Sequence, residues 1–267
     1  MSRNIIRDRT ALHFTVEGDG PVVILTGAPV GMSGFAMLAD RLADEFTVVR
    51  HDPRGIGLSE LPEDAPITVR DLADDVVAII DEVTTEPVRV FGASGGAVVA
   101  LDLLARWSSR VTRMVVHEPP LFDLLDDNGA TVAAAEKMFA TADDDPDAAF
   151  QSFFDMTEVM HETYEDHPRP SRIALPPLSA EDRQKQRFAL GRMAPATALF
   201  TPAFDGLAKE KLTISAGAAS VGQPARKAAE AVARKLGLPL MPAPGNHLAP
   251  SLKAEDFANW LKPLLRV

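Results

Sequence analysis

The stretch from Val88 to Arg106, V-R-V-F-G-A-S-G-G-A-V-V-A-L-D-L-L-A-R, constrains this chain more than any other. A short β-branched run (Val88, Val90, Phe91) meets Gly92-Ala93-Ser94-Gly95-Gly96, and an apolar helical pattern follows at once. That is the strand–turn–helix setting in which G-x-S-x-G lifts a serine onto a sharp elbow above a sheet. Small flanking residues are required because strand and helix approach closely at such a turn. Gly92, Gly95 and Gly96 meet that requirement. The competing reading, a glycine-rich βα turn that cradles a phosphate at a helix N-terminus, finds no lysine or second glycine fingerprint to support it.

The rest of the chain supplies the rhythm that such a turn needs. Val22–Leu25 is a wholly apolar run, as in the buried middle of a parallel sheet. Short strands at Thr47–Arg50, Val88–Phe91, Val111–Val116, Leu212–Ser215 and Leu238–Met241 alternate with helical stretches from about Ser33 to Asp44, Thr68 to Val83, Pro224 to Leu236 and Lys253 to Leu265. This alternation predicts an α/β fold with a mostly parallel, doubly wound sheet and ligands at the carboxyl ends of the strands. Residues 10–17, followed by the turn Gly18-Asp19-Gly20-Pro21, read as an opening antiparallel hairpin. The rhythm breaks after Pro120. Residues 121–205 are helical in character and rich in Phe (139, 150, 153, 154) and Met (138, 156, 160, 193), with prolines at 168, 170, 176 and 177. We read them as a helical cap inserted into a core made of residues 1–120 and 206–267.

Bulk properties exclude some functions. With 46% hydrophobic and 24% charged residues the composition is that of a soluble globular protein. A net charge of −11 argues against nucleic acid or an anionic membrane as partner, since both need a basic face. The absence of cysteine removes disulfides, thiolate metal sites and a cysteine nucleophile. No leader-like apolar run follows the N-terminus and no stretch is long enough to span a bilayer, so a cytoplasmic setting is expected.

A serine hydroxyl needs a base to take its proton as it attacks. Of six histidines, His247 follows the last strand in a Pro-Gly-Asn loop and is the first candidate; His51 and His117, also at strand ends, are weaker rivals. His13 lies in the opening hairpin, and His161 and His167 lie in the cap. The imidazole in turn needs a carboxylate to orient it and offset its charge. The usual place, after the penultimate strand, fails: residues 212–229 hold no Asp or Glu. Either the triad is incomplete or the acid comes from elsewhere. Glu118 ends the strand after the elbow helix, followed by two prolines that bar helix continuation. It is the acid of choice, with Asp123, Asp126 and Asp127 more distant. Two N–H donors must stabilise the developing oxyanion. Gly95 follows the serine and supplies one; Ala28, in the loop before Pro29, is the expected second, with Gly27 a weaker choice.

These residues resemble the α/β-hydrolase superfamily over essentially the whole chain. Thr26-Gly27-Ala28-Pro29 resembles the H-G-x-P oxyanion loop, with Thr in place of His, and Asp52-Pro53-Arg54-Gly55-Ile56-Gly57-Leu58-Ser59 resembles the mainly structural D-x-R-G-x-G-x-S loop. A closer likeness is to the zearalenone hydrolase (lactonase) group. It rests on Ser94-Gly95-Gly96-Ala97, on His117-Glu118-Pro119-Pro120 against that group's H-E-L-P, and on the acid-free Gly217-Ala218-Ala219. By that resemblance the catalytic serine, glutamate and histidine fall on Ser94, Glu118 and His247. It implies hydrolysis of an ester or lactone, a zearalenone-type macrocyclic lactone being one such substrate, through an acyl-enzyme and with no cofactor or metal. The likeness fades over 121–205, the substrate-selecting part, so the mycotoxin itself is not carried over. The Met and Phe of the cap suit a largely apolar substrate, or else form the cap's own core. Partners are expected to be the small-molecule substrate alone, with a homodimer left open. Cofactor-free haloperoxidases and C–C bond hydrolases share the elbow, whereas an aspartate-nucleophile reaction is disfavoured by Ser at 94. The rival from another class is an inactive ligand receptor of the same fold, motivated by the acid-free 212–229 stretch.

Overall fold

The computed structural model describes residues 1–62, 65–127, 129–162 and 175–266; His167, Pro168 and Pro170 lie outside the described residues. Its centre is an eight-stranded sheet in the order β1-β2-β4-β3-β5-β6-β7-β8. The strands are β1 (Ser2–Arg7), β2 (Thr10–Glu17), β3 (Val22–Ala28), β4 (Thr47–His51), β5 (Val88–Ser94), β6 (Val111–His117), β7 (Leu212–Gly217) and β8 (Leu240–Ala243). From β4 to β8 every neighbouring pair is parallel, and only the β1–β2 and β2–β4 pairs are antiparallel. The expected hairpin exists but lies one strand earlier. β1 and β2 turn at Asp8-Arg9, while the Gly18–Pro21 turn leads to β3, which is not β2's neighbour. Residues 2–7 carry too little apolar character to read as a strand: they form an edge strand with alternating exposed positions.

Strand residues alternate between the two faces of the sheet, as a period of two requires. Ile24, Val49, Val90, Met114 and Val116 pack on one side with α2 (Val69–Val83), α3 (Gly95–Trp107) and α8 (Pro224–Leu236). Val23, Leu25, Val48, Phe91 and Val115 pack on the other with α1 (Ala36–Leu42) and α10 (Ala254–Arg266). Because both faces are covered, the inner strands read as continuous apolar runs. α2 begins as its sequence suggests: Thr68 Oγ1 accepts from the Asp71 N–H at 3.1 Å and donates to the Asp71 carboxylate at 2.6 Å.

Between β6 and β7 the regular elements among the described residues are all helical, the longer ones being α4 (Ala130–Thr141), α5 (Pro146–Thr157), α6 (Ala180–Phe188), a wide turn at Ala189–Met193, and α7 (Ala194–Ala198). They have a small apolar centre of their own around Ala135, Met138, Phe139 and Leu190. A four-residue helix, α9 (Ala249–Leu252), follows β8 and precedes α10. No helix among the described residues is long and apolar enough to cross a membrane.

The 52–59 loop is held by a buried polar network. Asp52 accepts from the Met32 and Leu58 N–H groups, both at 2.9 Å, and Ser59 Oγ donates to the Asp52 carbonyl at 2.6 Å. Arg54 forms a two-pronged pair with Asp75 of α2 at 2.7 and 2.6 Å, both side chains almost wholly buried, and Arg7 of β1 joins the same carboxylate at 2.8 Å. Removing one member of such a pair strands a charge away from water. Asp75→Ala is therefore expected to destabilise the fold by about 3–5 kcal/mol in urea denaturation, and Arg54→Met with Asp75→Leu by clearly less.

Candidate active site

Ser94 closes β5 at φ 55° and ψ −129°, a conformation rare for any residue but glycine. The surroundings enforce it. A Cβ at Gly95 would lie 2.2 Å from the Ala28 carbonyl oxygen, and one at Gly96 would lie 2.2 Å from that of Thr26. The elbow can therefore form only where these residues have no side chain. Ser94 stands at the N-cap of α3, yet its hydroxyl makes no cap hydrogen bond. Ala28 of β3 is its partner across the sheet, so the two expected oxyanion donors, Ala28 and Gly95, flank it in space. Both are buried.

One strand over, β6 reaches the same level, with His117 opposite Ala93. Glu118 follows at φ 48°, which turns the chain out of the strand, and its backbone N–H still bonds the Ser215 carbonyl of β7 at 3.0 Å. Its carboxylate is fully buried and accepts two hydrogen bonds: Oε2 lies 2.6 Å from His247 Nδ1, and Oε1 takes the Gly217 N–H at 2.9 Å. The last residue of β7, in the acid-free 212–229 stretch, thus contributes a backbone donor in place of a carboxylate. Gly217 has to be glycine, since a Cβ there would come within 2.5 Å of the Gly245 carbonyl in the histidine loop. Burial alone would raise the Glu118 pKa, but the His247 hydrogen bond, the neighbouring imidazoles and the Gly217 N–H hold it down at about 2.

Comparison with known proteins bears on the fold that carries these residues. The family described as alpha/beta hydrolase fold matches residues 20–199. The chain belongs to the α/β-hydrolase family. Its curated relatives include the uncharacterised hydrolase YraK of Bacillus subtilis, 37% identical over 44% of this chain and 44% of that protein. Another is the cis-3-alkyl-4-alkyloxetan-2-one decarboxylase of Shewanella oneidensis, 29% identical over 45% of this chain and 39% of that protein. The matched stretches span less than half of these relatives. Among solved structures, the esterase EaEST of Exiguobacterium antarcticum superposes with a TM-score of 0.73 at 18% identity, covering 100% of both chains. An α/β hydrolase of Sphaerobacter thermophilus gives 0.67 at 24% identity, covering 98% of this chain and 99% of that one. At such identities these two matches show the fold.

In this α/β-hydrolase fold, Ser94 and His247 line one cavity of about 800 Å³. Its wall is largely apolar, with Phe150, Phe153 and Phe154 of α5, Phe188 at the end of α6, Ile56 and Leu248. The phenylalanines of residues 121–205 therefore divide. Phe139 and Met138 fill that segment's own core, while three on α5 face the cavity. Met193 packs into the main core, and Met160 is exposed. Phe188, Ile56 and Gly217 were not singled out as site residues by sequence reasoning; Phe188 sits so close over Gly55 that a Cβ there would lie 2.2 Å from its ring.

The other described histidines make different contacts. His51 is buried with Nε2 3.1 Å from Thr26 Oγ1, and His13 contacts Asn4 and Ser2 within the hairpin. The His161 carbonyl accepts from Asn246 and Gln223. His117 is buried behind His247, ring centres 6.4 Å apart, with Nδ1 3.2 Å from Ser215 Oγ. Burial pushes its pKa down to about 4 against the pull of Glu118. Two of the rival acids are used elsewhere: Asp123 accepts from Thr201, and Asp127 accepts from the Thr131 N–H and hydroxyl in the first turn of α4. Among the described residues no group of three or more His, Cys, Asp or Glu is placed to hold a metal ion.

Both buried groups link stability to pH. The Glu118 pKa lies below its ordinary 4.5, so its contribution is complete above 4.5 and is lost as pH falls toward 2. The His117 pKa lies below 6.5, so the folded state prefers it neutral and stability drains as pH falls from 6.5 toward 4. Each window corresponds to about 3 kcal/mol. Urea denaturation across pH should show His117→Phe flattening the slope between 6.5 and 4, and Glu118→Gln flattening the slope between 4.5 and 2.

Proposed function

We propose that this protein is a serine hydrolase of carboxylic esters or lactones with a largely apolar substrate. The observation that carries the reading is the Glu118–His247 hydrogen bond of 2.6 Å, whose imidazole lines the same phenylalanine-walled cavity as Ser94. Ser94 Oγ attacks the carbonyl carbon while His247 Nε2 takes its proton, and Glu118 holds the imidazole through Nδ1–H and offsets the imidazolium charge. The Gly95 and Ala28 N–H groups face the carbonyl oxygen as it becomes an oxyanion. His247 returns the proton to the departing alkoxide, leaving an acyl-Ser94; water, activated by the same imidazole, then releases the acid. No cofactor enters this scheme. In a lactone the departing hydroxyl stays tethered to the acyl group, so the cavity must hold both ends until water enters.

Residues 121–205 act as the cap in this reading, with α5 and α6 forming the substrate-facing wall. The relative named as an oxetan-2-one decarboxylase acts on a cyclic ester, which supports the substrate class and not the reaction. The motif likeness to the zearalenone hydrolase group, with its glutamate at the H-E position, supports the same class; a macrocyclic lactone is one substrate to try. The receptor alternative drew on the missing acid after β7, and the Glu118–His247 pair supplies a carboxylate without it.

A fluorophosphonate probe is expected to label the protein but not Ser94→Ala; an unlabelled protein would indicate a receptor. Glu118→Gln keeps the shape but removes the charge, and kcat on an aryl ester should fall roughly 10³–10⁴-fold. Near-normal turnover by Glu118→Gln would remove this glutamate from the mechanism. Mass spectrometry of a panel of aryl esters and macrocyclic lactones, read for ring opening, tests the substrate class.

A further inference from the structure

The loop that carries His247 is fastened on two sides. Toward the sheet, the Ala219 N–H bonds the Gly245 carbonyl at 2.8 Å. Toward the helical segment, the fastening is Asn246. Its side chain is buried and makes three hydrogen bonds. Nδ2 donates to the Val159 carbonyl at 3.0 Å and to the His161 carbonyl at 2.9 Å, and Oδ1 accepts from the Leu248 N–H at 3.1 Å. Both amide hydrogens are used, and neither carbonyl could bond a carboxylate in the same place.

Residues 158–161 form a strap directly after α5. Glu158, at φ 53°, ends that helix, and Val159 is buried and lines the cavity. Phe150, Phe153 and Phe154 of α5 line the same cavity, so one continuous piece of chain forms the apolar wall and then hands two carbonyls to the residue next to His247. Gln223 also donates to the His161 carbonyl, at 3.1 Å, and Lys253 pairs with Glu162 just beyond.

We infer that Asn246 is a positioning residue which ties the His247 loop to the cavity wall after α5, so that the place of the imidazole depends on what fills the apolar side of the cavity. This rests on the serine-hydrolase reading. The chemistry behind it is the sensitivity of proton transfer to distance: misplacement by about 1 Å can cost on the order of 10²-fold in rate. A polar side chain bonded to two carbonyls on one piece of chain and one N–H on another transmits such a displacement directly.

The test uses p-nitrophenyl butyrate turnover, fluorophosphonate labelling and a double-mutant cycle on the whole chain. Asn246→Asp has the same size but only acceptors facing the two carbonyls; Asn246→Ala carries no charge into the site. In each, kcat should fall roughly 10–100-fold with KM changed less than about threefold. Val159→Ala should alter kcat in the wild-type background and have no further effect on it in Asn246→Ala, because the link is gone. If Asn246→Asp does not accumulate as folded protein, Asn246→Ala alone carries the comparison. Wild-type kcat in either folded variant, or strictly additive effects with Val159→Ala, would overturn the inference while leaving the hydrolase reading intact. Failure of the wild-type protein to label at all would instead overturn the hydrolase reading and the inference with it.

Discussion

The contact between Glu118 and His247 joins residues 129 positions apart, and most of what surrounds the site serves to make it possible. A carboxylate taken into the interior must be fully hydrogen-bonded or it will protonate or move. Here the carboxylate comes from the strand end at 118, and its two partners come from two other places at the carboxyl edge of the sheet: the Gly217 N–H at the end of β7 and the loop after β8. Parallel pairing brings them together, since β6, β7 and β8 are consecutive neighbours and all end on the same side. The small loop residues let them close. A side chain at Gly217 would collide with the histidine loop that the carboxylate has to meet.

Two residues that are not glycine, Ser94 and Glu118, leave adjacent strands with positive φ. Each such conformation carries a cost of order 1–3 kcal/mol and persists only where the surroundings over-determine it. At Ser94 the determinants are the carbonyls of Thr26 and Ala28, against which the start of α3 packs without side chains. At Glu118 they are the 3.0 Å bond from its N–H to β7 and the two bonds to its carboxylate. Both strained points lie at the level of the sheet where the register puts Ala93 opposite His117. The sheet, with apolar cores on both faces, is the rigid body against which this strain is held.

Much of this was legible from sequence, for a physical reason that also marks where legibility stops. Parallel strands buried on both faces must be nearly pure apolar runs, and helices between them must carry a 3.6-residue stripe, so β3 to β7 and α2, α3 and α8 stand out. β8, the far edge strand, runs from Leu240 to Ala243, two residues beyond the expected Leu238–Met241, because a half-exposed edge strand has no such run to fix its bounds. α8 matches its expected bounds at both ends, because Pro224 opens it and Gly237 closes it in the left-handed region. β1 did not stand out, because an edge strand with alternating exposed residues has no such run. The Glu118–His247 pair was reachable by elimination, since chemistry demands an acid and the usual place had none. Gly217 was not, because its contribution is a backbone N–H, which every residue but proline has. Asn246 was hidden too: its partners are main-chain carbonyls whose position depends on how the segment before them packs.

The phenylalanines of α5 show the same limit more sharply. Phe150, Phe153 and Phe154 are spaced to lie on one side of a helix, and Phe150 and Phe153 each meet Phe154 edge to face, with ring centres 4.7 and 5.6 Å apart. A stripe of that kind is what a helix presents to a core. On α4, Met138 and Phe139 do that, and they are nearly covered. On α5 the fully covered positions are small or short, Ala149 among them, and the aromatic stripe is left partly open on the cavity. What separates a core stripe from a cavity wall is therefore what stands opposite. For α5 that is the elbow, the histidine loop and Phe188, contributed by residues up to about 100 positions away in the chain. Periodicity records which side of a helix is apolar and carries no information about whether that side is filled by protein or left for a ligand.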